Sequence, residues 1–243
     1  HRDLHSFPTR RSSDLAAVNA VVSQTDGRIL VGVAFTTIDD IHLNFIARLL
    51  ADGSLDTSFN PGSGADNTVN AVAETFIGGV RKIYVGGAFG AVNGTTSPGL
   101  VRLNNNGAMD SGFNAGLGVD GQVYAIAVYP TNSIYAGKVL IGGALAHDNG
   151  TPCNNRARVN ADGSLDTNFN AGFGSGPDGA VHALAIQTGG QVLVGGSFTG
   201  INAVTVNRIA RLNTDGTLDT SFVAADGGGA NNVVEGIRLQ PDN

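Results

Sequence analysis

Residues able to do chemistry recur in this chain at one offset: Arg48, Arg102, Arg158 and Arg211 are each followed eight positions later by Asp56, Asp110, Asp166 and Asp219. A guanidinium offers a carboxylate a rigid fork of donors, so the first chemistry suggested is ion pairing, with Arg102 expected on Asp110. One active site has no need of four copies, and the pairs are read as architecture. The phrase Asp-Gly-Ser-Leu-Asp, at 52–56 and again at 162–166, has the acidic spacing of a calcium loop. A hard cation wants six to eight oxygens, and the remaining ligands are missing. Asp52, Asp56, Asp162 and Asp166 are therefore assigned to turns, with calcium as the alternative and no cofactor expected.

Other constellations are incomplete. Gly195-Gly-Ser-Phe-Thr-Gly200 misses the spacing of a nucleophile elbow. The Gly-rich stretch 172–179 lacks the Lys of a phosphate loop and precedes a strand where a helix is needed, so it reads as a linker. The most distinctive segment is His147-Asp-Asn-Gly-Thr-Pro-Cys153, whose one His and one Cys fall short of a tetrahedral metal site. It reads as a surface loop, as do His42 and Asp39-Asp40 in the matching place of the first copy. His182 stands on a strand. No catalytic, cofactor or metal residue is assigned, and the binding residues are unknown. Function is expected where the copies disagree, since sites are built by varying loops on a fixed scaffold.

The elements that must hold these residues repeat with them. A glycine recurs at Gly32, Gly86, Gly142 and Gly195, and Gly, Arg and Asp share the spacings 54, 56 and 53. In the last full copy, Val181–Ile186 reads as a first strand and Gln191–Phe198 as a second, nearly continuously apolar one. Arg208–Asn213 reads as a third strand and Thr217–Phe222 as a short fourth, joined by an Asp215-Gly216 hairpin turn. Thr199 to Val206 reads as a variable loop. Four antiparallel strands per copy are the content of a propeller blade, and a lone sheet of this size must bury its faces against its neighbours. The glycine pairs, as in Gly86-Gly87, predict close approach between blades. The expected fold is an all-β, β-propeller-type array with copies at about 16–66, 67–120, 121–178 and 179–231, and a partial fifth at 232–243. A fragment of a larger ring is expected, with a parallel β-solenoid as the alternative; solenoid coils need only about 20–30 residues.

Residues 1–15 match no copy; 5–15 look like a translated sequencing adapter, and the leader is set aside as non-native. Removing it takes away Arg2, Arg10 and Arg11 with Asp3 and Asp14, and moves the net charge from −6 to −7. An acidic chain without a basic stripe lacks the footprint of a nucleic-acid binder. Cys153 is the only cysteine, so no intrachain disulfide forms. No apolar run approaches the ~20 residues of a membrane helix.

The phrases Asp26-Gly-Arg28-Ile-Leu-Val-Gly32, Asn207-Arg-Ile-Ala-Arg-Leu-Asn213 and Asp162-Gly-Ser-Leu-Asp-Thr-Asn-Phe169 resemble the delta-60 repeat, a β-propeller family of large bacterial proteins. The likeness covers about Ala16 to Asn243. It departs at Leu50, where the family has Asn, and at Arg156-Ala-Arg158, which loses an apolar anchor. The resemblance implies a secreted or surface-anchored scaffold without general enzyme activity. Two functions are carried forward. One is a non-catalytic extracellular or cell-surface module that binds a protein or glycan partner or acts as a spacer beside neighbouring blades. The alternative is a hydrolase or lyase whose site lies at the central mouth of the propeller.

Overall fold

The computed structural model describes residues 17–34, 36–38, 41–169, 176–222 and 228–240. The leader, Asp39-Asp40 and residues 172–175 of the Gly-rich stretch lie outside them. Each copy folds as a three-stranded antiparallel sheet with its second strand in the middle. The strands are Val18–Ser23, Ile29–Val33 and Ile46–Leu49 in the first copy, then Val69–Ile77, Val80–Gly87 and Leu100–Asn104 in the second. The third copy has Gln122–Val128, Val139–Ala144 and Arg156–Val159, and the fourth Val181–Ile186, Val192–Gly196 and Ile209–Leu212. No α-helix occurs among the described residues. First strands pack on the first strands of neighbouring copies, which makes them the inner strands of a propeller-type array. Antiparallel sheets are incompatible with a parallel solenoid.

The middle strands are apolar over their central residues because both faces are covered there: Val139, Leu140 and Ile141 have no exposed surface. The glycine that ends this run makes the joint between copies. A Cβ at Gly142 would lie 2.5 Å from Val181 Cγ1 and 3.2 Å from Leu184 Cδ1, both on the next inner strand. Gly32 receives Val69 and Val72 in the same way, Gly86 receives Val123 and Ile126, and Gly195 receives Val234 and Ile237 of the fifth segment. None of these four glycines has a positive φ, so each is there to leave room. The second glycine of each pair has another role. Gly143 and Gly196 would meet the backbone oxygens of Gln122 and Ala180 in their own sheets, where the inner strand bulges. Only the first glycine serves the approach between copies.

Two expectations about local structure are corrected, the fourth strand and the variable loop, and the hairpin turn takes a definite form. The fourth strand shrinks to single bridges, Leu49 with Leu55, Leu103 with Met109, Val159 with Leu165 and Leu212 with Leu218. The ladder stops because the next residue is the repeated Asp, whose carbonyl accepts the N–H of the Phe three positions on and closes a turn, as in Phe169 to Asp166 at 3.1 Å. In the Asp-Gly hairpins only the glycine is left-handed, with φ of +86° at Gly53 and +98° at Gly163. Asp52 instead accepts the Ser54 N–H at 2.9 Å and hydroxyl at 2.6 Å, which matches a type I turn closed by a glycine bulge.

The variable loop is itself a small antiparallel ribbon. It pairs Ala91–Val92 with Thr95–Thr96, His147–Asp148 with Thr151–Pro152, and Gly200–Ile201 with Val204–Thr205. Both central residues of its turn have positive φ, 50° and 71° at Asn93-Gly94 and 49° and 77° at Asn149-Gly150. This is the backbone of a type I′ turn.

Gly142→Ala is expected to destabilise the protein by about 1–3 kcal/mol, because the stiff Val181 cannot yield without moving the next copy. Gly189→Ala, whose Cβ would come no nearer than 3.8 Å to another residue, is the matched control. Urea denaturation in which the two variants lose equal stability would contradict this account of the joint.

Candidate functional site

The recurring Arg and Asp meet as the sequence suggests. Nε to Oδ2 distances are 2.7 Å for Arg48 with Asp56, 2.6 Å for Arg102 with Asp110, and 2.7 Å for both Arg158 with Asp166 and Arg211 with Asp219. The Phe that ends each phrase covers the guanidinium, whose carbon lies 4.9 Å from the ring centroids of Phe59, Phe113 and Phe222 and 4.6 Å from that of Phe169. A second group reaches the same carboxylate from the start of the second strand. It is Arg28 at 3.2 Å, Lys82 at 2.9 Å, Lys138 at 2.6 Å, and in the last copy the neutral Gln191 at 3.3 Å.

The guanidinium also reaches out of its own copy. Arg48 Nη1 donates to the carbonyl of Asn105 at 2.6 Å, Arg158 Nη1 to that of Thr214 at 2.7 Å, and Arg102 Nη1 to that of Ala161. All three acceptors sit at one position of the next copy's Asp-Gly hairpin or its counterpart. Each Arg therefore ties its own phrase to the next one. Arg211 has a side chain 23 % exposed against 2–4 % for the other three.

These contacts set the ionisation of the carboxylates. Burial would raise Asp56, but the Ser58 hydroxyl and Arg48 outweigh it and the net shift is downward. Burial is likewise overcome at Asp110 by Lys82, the Gly112 N–H and Arg102, and at Asp166 by Lys138 and Arg158. Asp219 is lowered by the Ser221 hydroxyl and then by Arg211. Their oxygens face cations and turn donors, the opposite of a calcium shell. Asp52 and Asp162 accept the hydroxyls of Ser54 and Ser164 at Oδ1. No cluster of three or more His, Cys, Asp or Glu able to hold a metal occurs among the described residues.

A second row of residues changes its chemistry from copy to copy. Every inner strand has a register break near its start, after Val18, Val69, Val123 and Val181, and the residue inserted there is Asn19, Asn70, Tyr124 or His182. Bulges re-aim side chains and recur beside functional sites. Here they line up along the inner edge, where Asn19 Nδ2 donates to the Val69 carbonyl and Asn70 Nδ2 to the Val123 carbonyl, both at 3.1 Å. The rings of Tyr124 and His182 stack with centroids 4.9 Å apart and planes 6° from parallel. His182 Nδ1 lies 3.2 Å from Glu235 Oε2, whose side chain is 72 % exposed.

Against known proteins, the chain matches the family described as "Domain of unknown function (DUF5122) beta-propeller" at residues 24–59, 81–113, 137–169 and 187–222. The chain belongs to this β-propeller family. No curated protein matches it. Every matched DUF5122 segment ends on the Phe that covers the Arg, and every one leaves out the inner strand. The matched DUF5122 segments thus span the second strand, the ribbon, the third strand and the Arg, Asp and Phe clasp. The inner row lies outside them.

The remaining candidates fall on this frame. His42 is exposed on the ribbon of the first copy, where Thr37–Ile38 pairs with Ile41–His42. His147 contacts Asp120 through Nδ1 at 2.6 Å, while Asp120 Oδ1 accepts the backbone N–H groups of Ala146 at 3.0 Å and His147 at 2.7 Å. Asp66 and Asp178 accept the corresponding N–H groups of Gly90 and of Thr199 and Gly200, so this is another repeated brace. The described end of the Gly-rich stretch holds Asp178, and Pro177 bridges to Ile201, which makes it more than a linker. Cys153 is buried, which pushes its thiol up to about 12.

Leu50 and Arg156, the two positions that depart from the other copies, also find places. Asn104, Asn160 and Asn213 brace their hairpins through Nδ2, and Leu50 cannot. Arg156 loses an apolar anchor but gains a copy-to-copy contact, donating Nη2 to the Gly216 carbonyl at 2.9 Å.

The single variants Arg102→Ala and Asp110→Ala should each cost about 3–5 kcal/mol, and the double variant less than their sum, with a coupling of about 1–3 kcal/mol. A folded-state carboxyl held below its free value contributes stability that is present above about pH 4 and lost as pH falls through the lowered value. The coupling should therefore fade in acid. Additive losses at neutral pH in a urea-denaturation cycle would contradict the pairing.

Proposed function

We propose that the chain is a non-catalytic repeat scaffold of the delta-60 kind that works outside the cell or at its surface and offers its inner row to a protein or glycan partner. The observation that carries this reading is a division of labour. The clasp repeats with nearly the same residues in every copy, while the bulge position takes an amide, a phenol or an imidazole. A fixed frame bearing a varied row of hydrogen-bonding groups suits recognition by several weak polar contacts and one aromatic face. The extracellular placement draws on the delta-60 resemblance. Among the described residues no helix is long and apolar enough to cross a membrane.

A hydrolase or lyase at the same edge would use His182 as base with Glu235 orienting it. Scaffold and enzyme differ in what happens to a bound ligand. On a glycan array and in a cross-linking capture of surface proteins, the intact chain should retain a ligand without converting it. Tyr124→Ala and His182→Ala should each weaken retention about tenfold or more, with melting unchanged. Turnover of the ligand that disappears in His182→Ala would favour the enzyme, and retention unaffected by either substitution would remove the inner row as the binding surface.

A further inference from the structure

The third copy departs from its siblings at two buried positions of its ribbon and one beside it. Asp148 is bridged to Val119 as Val92 is to Ala65 and Ile201 to Pro177, so a carboxylate replaces Val or Ile at one place in the fold. Val92 and Ile201 are 2 % and 0 % exposed, and Asp148 is 3 % exposed. Cys153, five residues on, takes the place of Ser97 and Val206. Arg156 pairs with Gly142 where Leu100 pairs with Gly86 and Ile209 with Gly195. Asp148 Oδ2 is buried and has no hydrogen-bond partner. An apolar side chain would cost nothing here, whereas an unpaired charge is expensive.

The charged and titratable groups around Asp148 leave that oxygen unpaired. Cys153 belongs to the same ribbon, and burial raises its thiol first, with the charges of Asp148 and Asp120 adding to it. His147, also on the ribbon, is held by Asp120 of the segment leading into the copy. Arg156 on the third strand donates to the Gly216 carbonyl of the next copy.

We propose that the third ribbon, His147 to Cys153, is a proton-controlled latch. A neutral Asp148 lets it stay closed over the Cys153 thiol, and ionisation of Asp148 loosens it and admits solvent to that thiol. Burial raises the Asp148 carboxyl from 3.8 to about 6. The sign is opposite to that of the Arg–Asp clasps: a raised folded-state value means that closure is fully favoured below the free carboxyl value and is weakened as pH rises through about 6.

Cys153, as the only cysteine, reports the opening directly. The test is its reaction with 4,4′-dithiodipyridine, which proceeds in both acid and neutral solution, with each rate divided by that of the urea-unfolded chain at the same pH. Between about pH 5 and about pH 7.5 the normalised rate should rise about tenfold, as the two carboxyl values require. It should be independent of pH in Asp148→Asn, which keeps the shape, and in Asp148→Val, which restores the residue type of the sibling copies. Circular dichroism at both pH values checks that the array stays folded during labelling. A normalised rate in the unaltered chain that does not change with pH, or a rise that persists in Asp148→Asn, would overturn the proposal.

Discussion

The array depends on one guanidinium per copy. An Arg buried in an apolar sheet must have its donors satisfied, and no single partner can satisfy all of them. In this chain the donors are divided between the carboxylate eight residues later and the backbone of the following copy, as with Arg48 between Asp56 and Asn105. The division gives direction to the array, because a copy can meet its Arg's needs only when a hairpin turn is presented by the copy after it. The Phe over the guanidinium and the Lys or Arg beside the carboxylate then exclude water from the pair. The glycine on the middle strand works at the inner side of the same joint, where it admits the Val of the next inner strand. One polar tie and one apolar socket together fix how each copy meets the next.

Much of this was legible in the sequence, for a physical reason. A residue whose environment is the same in every copy recurs at a constant offset, so the eight-residue step from Arg to Asp announced a pair and the recurring glycine a close approach. What stayed hidden was whatever lacked a recurring side chain. The second partner of the carboxylate is Arg28, Lys82, Lys138 or Gln191, and its changing type concealed its fixed place. The carbonyls that accept from Arg48, Arg102 and Arg158 belong to the backbone and leave no letter in the sequence. Thr217–Phe222 alternates as a strand would, but Asp219 bends the chain into a turn after one bridge. The ribbon was missed although Asn93-Gly94 and Asn149-Gly150 are strong hairpin signals. The last copy, with Asn202-Ala203, lacks the glycine and takes the same conformation at φ of 54° and 64°. The inner row was invisible because one extra residue in a short alternating strand looks like ordinary variation.

Sameness and difference are therefore separated in space. The clasp, the glycine joint and the Asp66, Asp120 and Asp178 braces build the frame, and they are nearly interchangeable between copies. Individual character sits at the inner bulges and, in the third copy alone, beneath the ribbon at Asp148 and Cys153. Such a layout lets a family vary its contacts without renegotiating its fold, since the residues that differ are not the ones that hold the copies together.

The central claim is that Arg48, Arg102 and Arg158 each hold two copies at once, and native-state hydrogen exchange on Arg102→Ala tests it most directly. The account predicts that amide protection falls both in the variant's own turn around Asp110 to Phe113 and across the joint in the hairpin Asn160 to Ser164, while the fourth copy keeps its protection. Loss confined to the second copy, with the Asn160 to Ser164 amides unchanged, would contradict it.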